Sequence, residues 1–295
     1  MCAAVNGRGR PDFTIDWGDP AAIPDEPPAG VVLARMSFGA GGGFVHTRTR
    51  TGFTLRFPGI CEFRVDRGRR AITAHLAPGA SPEMASLLLG GNVAGFLLTI
   101  AGECLLHASA VERDGAAIAF VGVSGSGKST LAAIFCTEGS RLVSDDVIRL
   151  KIDRDGCRCF AGTLELRMRL RAAQIARSFP DRTQRRTVDH RIAIRPNARD
   201  AMTDLLPLRA IVIPRLARES KAPCVRRLSR PEALFGLSSC PAVIGWQVQR
   251  PMRRQFQSLG RASGRVPVYE ATIPWGRPHS PALREVLLAR LNQEV

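Results

Sequence analysis

Lysine is scarce in this chain. Of 42 basic residues 39 are arginine and three are lysine, set against 26 acidic residues for a formal net charge of +16. Tyrosine occurs once and tryptophan three times, and the aromatics are not interleaved with the basic residues. That excludes a base-stacking platform for single-stranded nucleic acid. No helix-turn-helix or finger pattern accompanies the charge either, so nucleic acid is not an expected partner. An arginine-rich surface instead suits acidic peptides, or is simply solvated. The eight cysteines are scattered. Cys157 and Cys159 are close, but no second pair and no histidine pair completes a zinc set. A chain of 295 residues has core enough to do without disulfides, so free thiols and a cytoplasmic location are expected. No basic-then-apolar signal pattern is present. Charge is also missing from Met84 to Gly102, close to a membrane-spanning length. Gly90, Gly91, Asn92 and Gly95 interrupt that run, Glu83 and Glu103 bound it, and no Lys/Arg asymmetry brackets it. A buried or docking helix is expected there rather than a membrane span.

Three regions follow from composition. Residues 1–30, with "DPAAIPDEPPAG", read as a loose arm. Residues 31–103 hold short alternating runs, "VVLARMSF", "GFTLRF", "CEFRVD" and "AITAHL", which predict a small antiparallel sheet. The apolar helix then opens on Ser81-Pro82-Glu83, with serine as cap and proline in the first turn. Residues 104–295 change character. "CLLHASAV" and "AAIAFVGV" are strands joined by "ERDG"; a glycine-rich loop and the helix "STLAAIFCTEG" follow. "RLVSDD" is a short buried strand ending on acid, "VIRLKI" and "CRCF" form a hairpin, and "LRAIVIPRL" is a central strand. The last segment, "SPALREVLLARLNQ", has helical periodicity and only a weak capping signal at Ser280. The fold class is α/β.

The glycine-rich loop is specific. Gly122-Val123-Ser124-Gly125-Ser126-Gly127-Lys128-Ser129 matches G-x-x-x-x-G-K-[ST] between a strand and a helix, and Thr130 follows. Composition alone yields roughly 0.003 such matches in a chain of this kind. Small residues let successive backbone N–H groups cradle phosphate oxygens, and the helix beginning there adds its positive end. In this motif Lys128 reaches the β- and γ-phosphates and the Ser129 hydroxyl ligates Mg²⁺, so ATP and Mg²⁺ are the expected cofactors.

Phosphoryl transfer also needs a further metal contact and a group to orient or deprotonate the acceptor. Asp145 and Asp146 lie 17 and 18 residues after Lys128. Adjacent acids at a buried strand end cost desolvation unless a cation uses them. Their strand is expected beside the loop in a parallel sheet, with both acids facing the phosphates. His107 lies 21 residues before Lys128, where a lone strand histidine is ordinarily structural.

The segments "HASAV", "GVSGSGKST" and "GSRLVSDD" resemble the HPr kinase/phosphorylase family and its HPr-kinase-like serine kinases, with closest likeness over residues 104–170. The resemblance implies a phosphate-loop core of the PEP carboxykinase-like kind, with a small β-rich region before it. It implies that His107 is the active-site histidine, that Lys128 and Ser129 serve nucleotide and Mg²⁺, and that Asp146 takes the proton of the target serine. Asp145 would support the histidine or the metal. "TLELRMRL" is similar to the family stretch "LEIRGLGI", which would make Glu165 a second Mg²⁺ ligand, although the glycine after Arg167 is missing. Arg209, before "AIVIPRL", stands where a catalytic arginine is sought. The family also implies homo-oligomers. Residues 1–80 look more like chains that act on precursor peptides, so a lasso-peptide tailoring kinase acting on a serine is the nearest functional expectation. The acceptor would then be an acidic or serine-containing peptide or protein, and "RLRAAQIAR" and "RTQRRTVDHR" could hold its anionic groups. A kinase of the HPr phosphocarrier, another phosphate-loop NTPase and a nucleotide sensor stay open as alternatives. The chain lacks an LSGGQ-type signature and a later strand ending Asp-Glu.

Overall fold

In "LRFPGICEFRV" every second side chain is apolar, and the backbone takes the form that buries one face of such a pattern. The structure, a computed structural model, describes residues 13–39, 42–68, 70–180, 183–196, 205–274 and 281–292. It is a mixed α/β fold whose chain divides into two units, Met1–Leu97 with Val243–Arg250 and Leu98–Ala242 with Pro251–Val295.

The first unit is a six-stranded sheet of β1 (Thr14–Trp17), β2 (Val31–Ser37), β3 (Gly43–Arg48), β4 (Gly52–Phe57), β5 (Cys61–Asp66) and β6 (Ala71–Leu76). Strands β2 to β6 form an antiparallel meander, and the sheet order is β1-β6-β5-β4-β3-β2. Leu55, Phe57, Phe63, Val65, Ile72 and Ala74 are buried on one face. Two strands depart from the sequence expectation. Within the supposed loose arm, Thr14–Trp17 pairs parallel with Ala71–Ala74 through its backbone, which composition does not reveal. Strand β3 is buried despite the polar pair His46 and Thr47.

The helix α1 (Pro82–Leu88) begins as its sequence predicts: the Ser81 hydroxyl accepts from Met84 N and Pro82 occupies the first turn. A π-turn over Leu89–Val93, containing Gly90 and Gly91, joins it to α2 (Ala94–Ala101). The whole, Pro82–Ala101, is long and apolar enough to cross a membrane, and 28% of its apolar window is buried. It is therefore not the enclosed core helix that one reading of Met84–Gly102 anticipates. Phe96 meets His46 and Phe53 edge-on and stacks on Trp246.

The second unit is built on β7 (Cys104–Arg113) and β8 (Ala116–Val121), followed by α3 (Lys128–Thr137), β9 (Arg141–Ser144), β10 (Val147–Asp153), β11 (Gly156–Phe160) and β12 (Leu166–Arg169). Then come α4 (Ala173–Ala176), β13 (Gln184–Arg186), β14 (Arg191–Ile194), β15 (Leu205–Ala217), β16 (Cys224–Arg227), α5 (Arg230–Ser238), α6 (Gln249–Ala262), β17 (Val268–Pro274) and α7 (Pro281–Asn292). The main sheet runs β11-β10-β7-β8-β15-β17-β16, with β9 paired to β7. Strands β8, β15 and β17 are parallel neighbours, and "LRAIVIPRL" is central, as its apolar run predicts. Strands β12, β14 and β13 make a separate small sheet. Helix α3 packs on the main sheet through Leu131, Ala132, Ala133 and Phe135. The weak cap at Ser280 lies outside the described residues.

The strand carrying the two acids is not placed as expected. It does not lie beside β8 in a parallel sheet. Strand β7 comes between them, antiparallel to both β8 and β9. Strand β10, after the acids, pairs with the other half of β7. The ordering matters for the site because β7 carries His107 and Ser109 between the loop strand and the aspartates.

Candidate functional site

The loop leaves β8 at Gly122, whose N–H donates to His107 O (3.3 Å), so loop and histidine strand are tied at the root. A Cβ at Gly122 would stand 2.5 Å from Ser126 Oγ, so any larger residue there would have to displace the Ser126 hydroxyl from the loop. Gly127 has a φ of 101° and caps α3, turning the loop directly into the first helical N–H groups. Lys128 is buried and its Nζ donates to Val123 O (3.1 Å), folding the ammonium back across the loop. Burial pushes its pKa below the ordinary lysine value, against the pull of Asp145 and Asp146.

The two aspartates have separate surroundings. Asp146 takes a left-handed φ of 74°, at the break between β9 and β10. Asp145 is buried beneath the helix start. Its Oδ1 accepts from Ser129 Oγ (2.9 Å) and Ser109 Oγ, and its Oδ2 accepts from Arg167 N (2.8 Å). Burial raises its pKa above the ordinary carboxylate value, while these three donors oppose the rise. Asp146 faces the cleft, with its side chain one-third exposed and paired to the Arg167 guanidinium. Arg167 also approaches Asp189 (3.6 Å), and Arg191 pairs with the same Asp189 (3.1 Å).

His107 Nδ1 donates to the Asp146 carbonyl oxygen (2.8 Å) and lies 3.7 Å from its carboxylate. Burial, then the Lys128 charge, lowers the histidine pKa. With Nδ1 donating to a carbonyl oxygen, the neutral form of the ring carries its lone pair on Nε2.

His107, Ser124, Gly125, Gly127, Lys128, Ser129, Thr130, Asp146, Arg167, Arg169 and Arg191 all line one cleft of about 150 Å³. Asp145 lies below its floor through Ser129. Two expected site residues are elsewhere. Glu165 is held by Arg185 (2.8 Å) and Arg195 (3.3 Å) and does not line the cleft, so the metal-ligand role implied by resemblance is not where its carboxylate stands. Arg209 stands level with the start of β8, while the loop leaves the other end of that strand. Its guanidinium donates to Asn292 Oδ1 (2.9 Å) and Leu291 O (3.4 Å) at the end of α7. The sequence alone does not single out Ser109, Arg167, Arg169 and Arg191 as site residues. Ser109 lies inside "HASAV". Arg169 and Arg191 are the first and last residues of the two arginine-rich segments.

The described residues contain no group of three or more His, Cys, Asp or Glu side chains able to hold a metal ion. The oxygen donors that fit Mg²⁺ are the Ser129 hydroxyl and the Asp145 carboxylate, a hard pair of the kind Mg²⁺ combines with phosphate oxygens and water. The seven described cysteines, Cys157 and Cys159 included, are free.

No protein-family profile matches the chain, and no curated protein matches it. Among solved structures, the Hpr(Ser) kinase/phosphatase from Coxiella burnetii is similar at a TM-score of 0.35 and 16% identity, over 64% of this chain and 96% of that one.

Proposed function

We propose that the protein is an ATP- and Mg²⁺-dependent kinase that phosphorylates a serine hydroxyl on a peptide or protein, with a lasso-type precursor peptide as the acceptor to test first. The observation that carries this reading is the different placement of two adjacent aspartates. One is buried under the loop serine and the other looks into the cleft.

The loop from Gly122 to Ser129 binds the nucleotide phosphates through its backbone N–H groups and the first turn of α3. Lys128 places its charge against them as the phosphoryl group moves. Ser129 and Asp145 would hold Mg²⁺, which when bound neutralises charge on the phosphate oxygens. Ser109 and the Arg167 N–H keep the Asp145 carboxylate aimed at Ser129. Asp146 accepts the proton of the incoming serine hydroxyl while that oxygen bonds to the terminal phosphorus and the bond to ADP breaks. His107 anchors the Asp146 backbone through Nδ1 and fixes where that carboxylate stands.

The second carboxylate, open to the cleft and oriented by His107 and Arg167, would accept the proton of a hydroxyl, and a hydrolysing NTPase would use the same group to position water. Incubation with γ-labelled ATP and serine peptides separates the readings. Labelled phosphopeptide supports the kinase, and labelled free phosphate alone, at every peptide tried, contradicts it.

A further inference from the structure

Arg169 lines the same cleft as the glycine-rich loop and touches that loop directly. It shares a strand with Arg167: in β12 Leu166 and Met168 are buried, and the alternating residues Arg167 and Arg169 both line the cleft. The two arginines are used differently. Arg167 is spent on Asp146 and Asp189. Arg169 is exposed, has no carboxylate partner among the described residues, and donates from Nη2 to Ser124 Oγ (3.1 Å). Ser124 adjoins Val123, whose carbonyl oxygen holds Lys128 Nζ (3.1 Å). Two cations are therefore anchored on adjacent residues of one loop, the lysine from the helix and the arginine from β12. The lysine of this loop motif serves the β- and γ-phosphates, so the arginine stands at the same end of the phosphate chain. Its planar guanidinium can grip phosphate oxygens through two N–H groups at once.

We propose that Arg169 binds the terminal phosphate of ATP and so selects the triphosphate over the diphosphate, a role that rests on the kinase reading above. Release of ADP after transfer follows from the same contact, because the product no longer offers Arg169 its ligand.

The test is equilibrium binding of Mg·ATP and Mg·ADP to the full chain, wild type against Arg169→Ala and Arg169→Lys. The wild type should prefer ATP. Arg169→Ala should lower ATP affinity on the order of tenfold, as loss of a charge-assisted contact does, and change ADP affinity less than about twofold. Arg169→Lys should keep part of the preference. An unchanged ATP/ADP ratio in Arg169→Ala, or an equal loss of both nucleotides, would overturn the assignment while leaving the kinase reading in place. A wild-type chain that binds neither nucleotide would overturn both.

Discussion

Each of the two units buries a carboxylate, and they complete it in different ways. In the first unit Glu62 is surrounded by its own cations: Arg56 contacts it at 2.6 Å and Arg64 at 3.0 Å. In the second unit Asp145 is just as enclosed, yet its partners are two hydroxyls and a backbone N–H, with no cation paired to it among the described residues. The first arrangement is finished within the chain. The second leaves a buried carboxylate with hydroxyl and N–H donors only, and in the proposed function that is where a phosphate-bound cation would sit. Glu165 is likewise closed off by Arg185 and Arg195, whereas Asp146, though paired with Arg167, still lines the cleft.

The largest effect that would sharpen this contrast is acid sensitivity in the first unit. His46 is fully buried, stacked on Phe44 (4.5 Å between ring centroids) and bonded through Nε2 to Asn92 Oδ1 (2.7 Å). Burial lowers its pKa from 6.5 to about 4. Below pH 6.5 the unfolded chain takes up a proton that native His46 refuses. Its contribution is therefore complete above that pH and is lost as pH falls toward about 4, about 3 kcal/mol in all. Denaturant titrations at a series of pH values measure the slope, and His46→Gln should remove most of it between neutrality and pH 5.

Next in size, Lys128→Ala should weaken ATP binding about 100-fold without unfolding the chain, because a buried charge-assisted contact is lost while the cost of burying the ammonium is relieved. Equilibrium nucleotide binding together with a thermal melt checks both halves. A smaller change should break the comparison from the other side. Glu62→Ala leaves Arg56 without its carboxylate and should cost about 2 kcal/mol of stability, less than a fully enclosed pair because Arg64 is 62% exposed. Nucleotide affinity should stay unchanged in that variant. A loss of affinity equal to that of Lys128→Ala would show that the first unit's ion pairs are not self-contained.

Much of the fold is legible in the sequence because its signals are local. Alternation marks β4, β5 and β6, Ser81-Pro82 starts α1, and the glycines with Lys128 place the loop between β8 and α3. The site is legible only in part. His107, Ser129, Asp145 and Asp146 belong to short segments whose spacing and resemblance point to them. Arg169 and Arg191 do not stand out, because 39 arginines make any single one uninformative. What distinguishes them is long-range: β12 and β14 pair in a small sheet that brings both to the cleft. Arg209 misleads for the complementary reason. The parallel register of β15 with β8 sets it at the far end of that strand from the loop. Glu165 shares the alternation of Arg167 and Arg169, yet two distant arginines claim it. Strand β1 is missed because backbone pairing at a sheet edge needs no apolar pattern.

The central claim is that Asp145 serves binding and Asp146 serves transfer, and one variant tests it most directly. Asp146→Asn keeps the size of the side chain and removes its capacity to take a proton. Nucleotide binding and phosphopeptide formation are to be measured on the same preparation. Mg·ATP affinity within about twofold of wild type, with transfer reduced by about 100-fold or more, is the predicted result. Phosphopeptide formation at the wild-type rate would contradict the account.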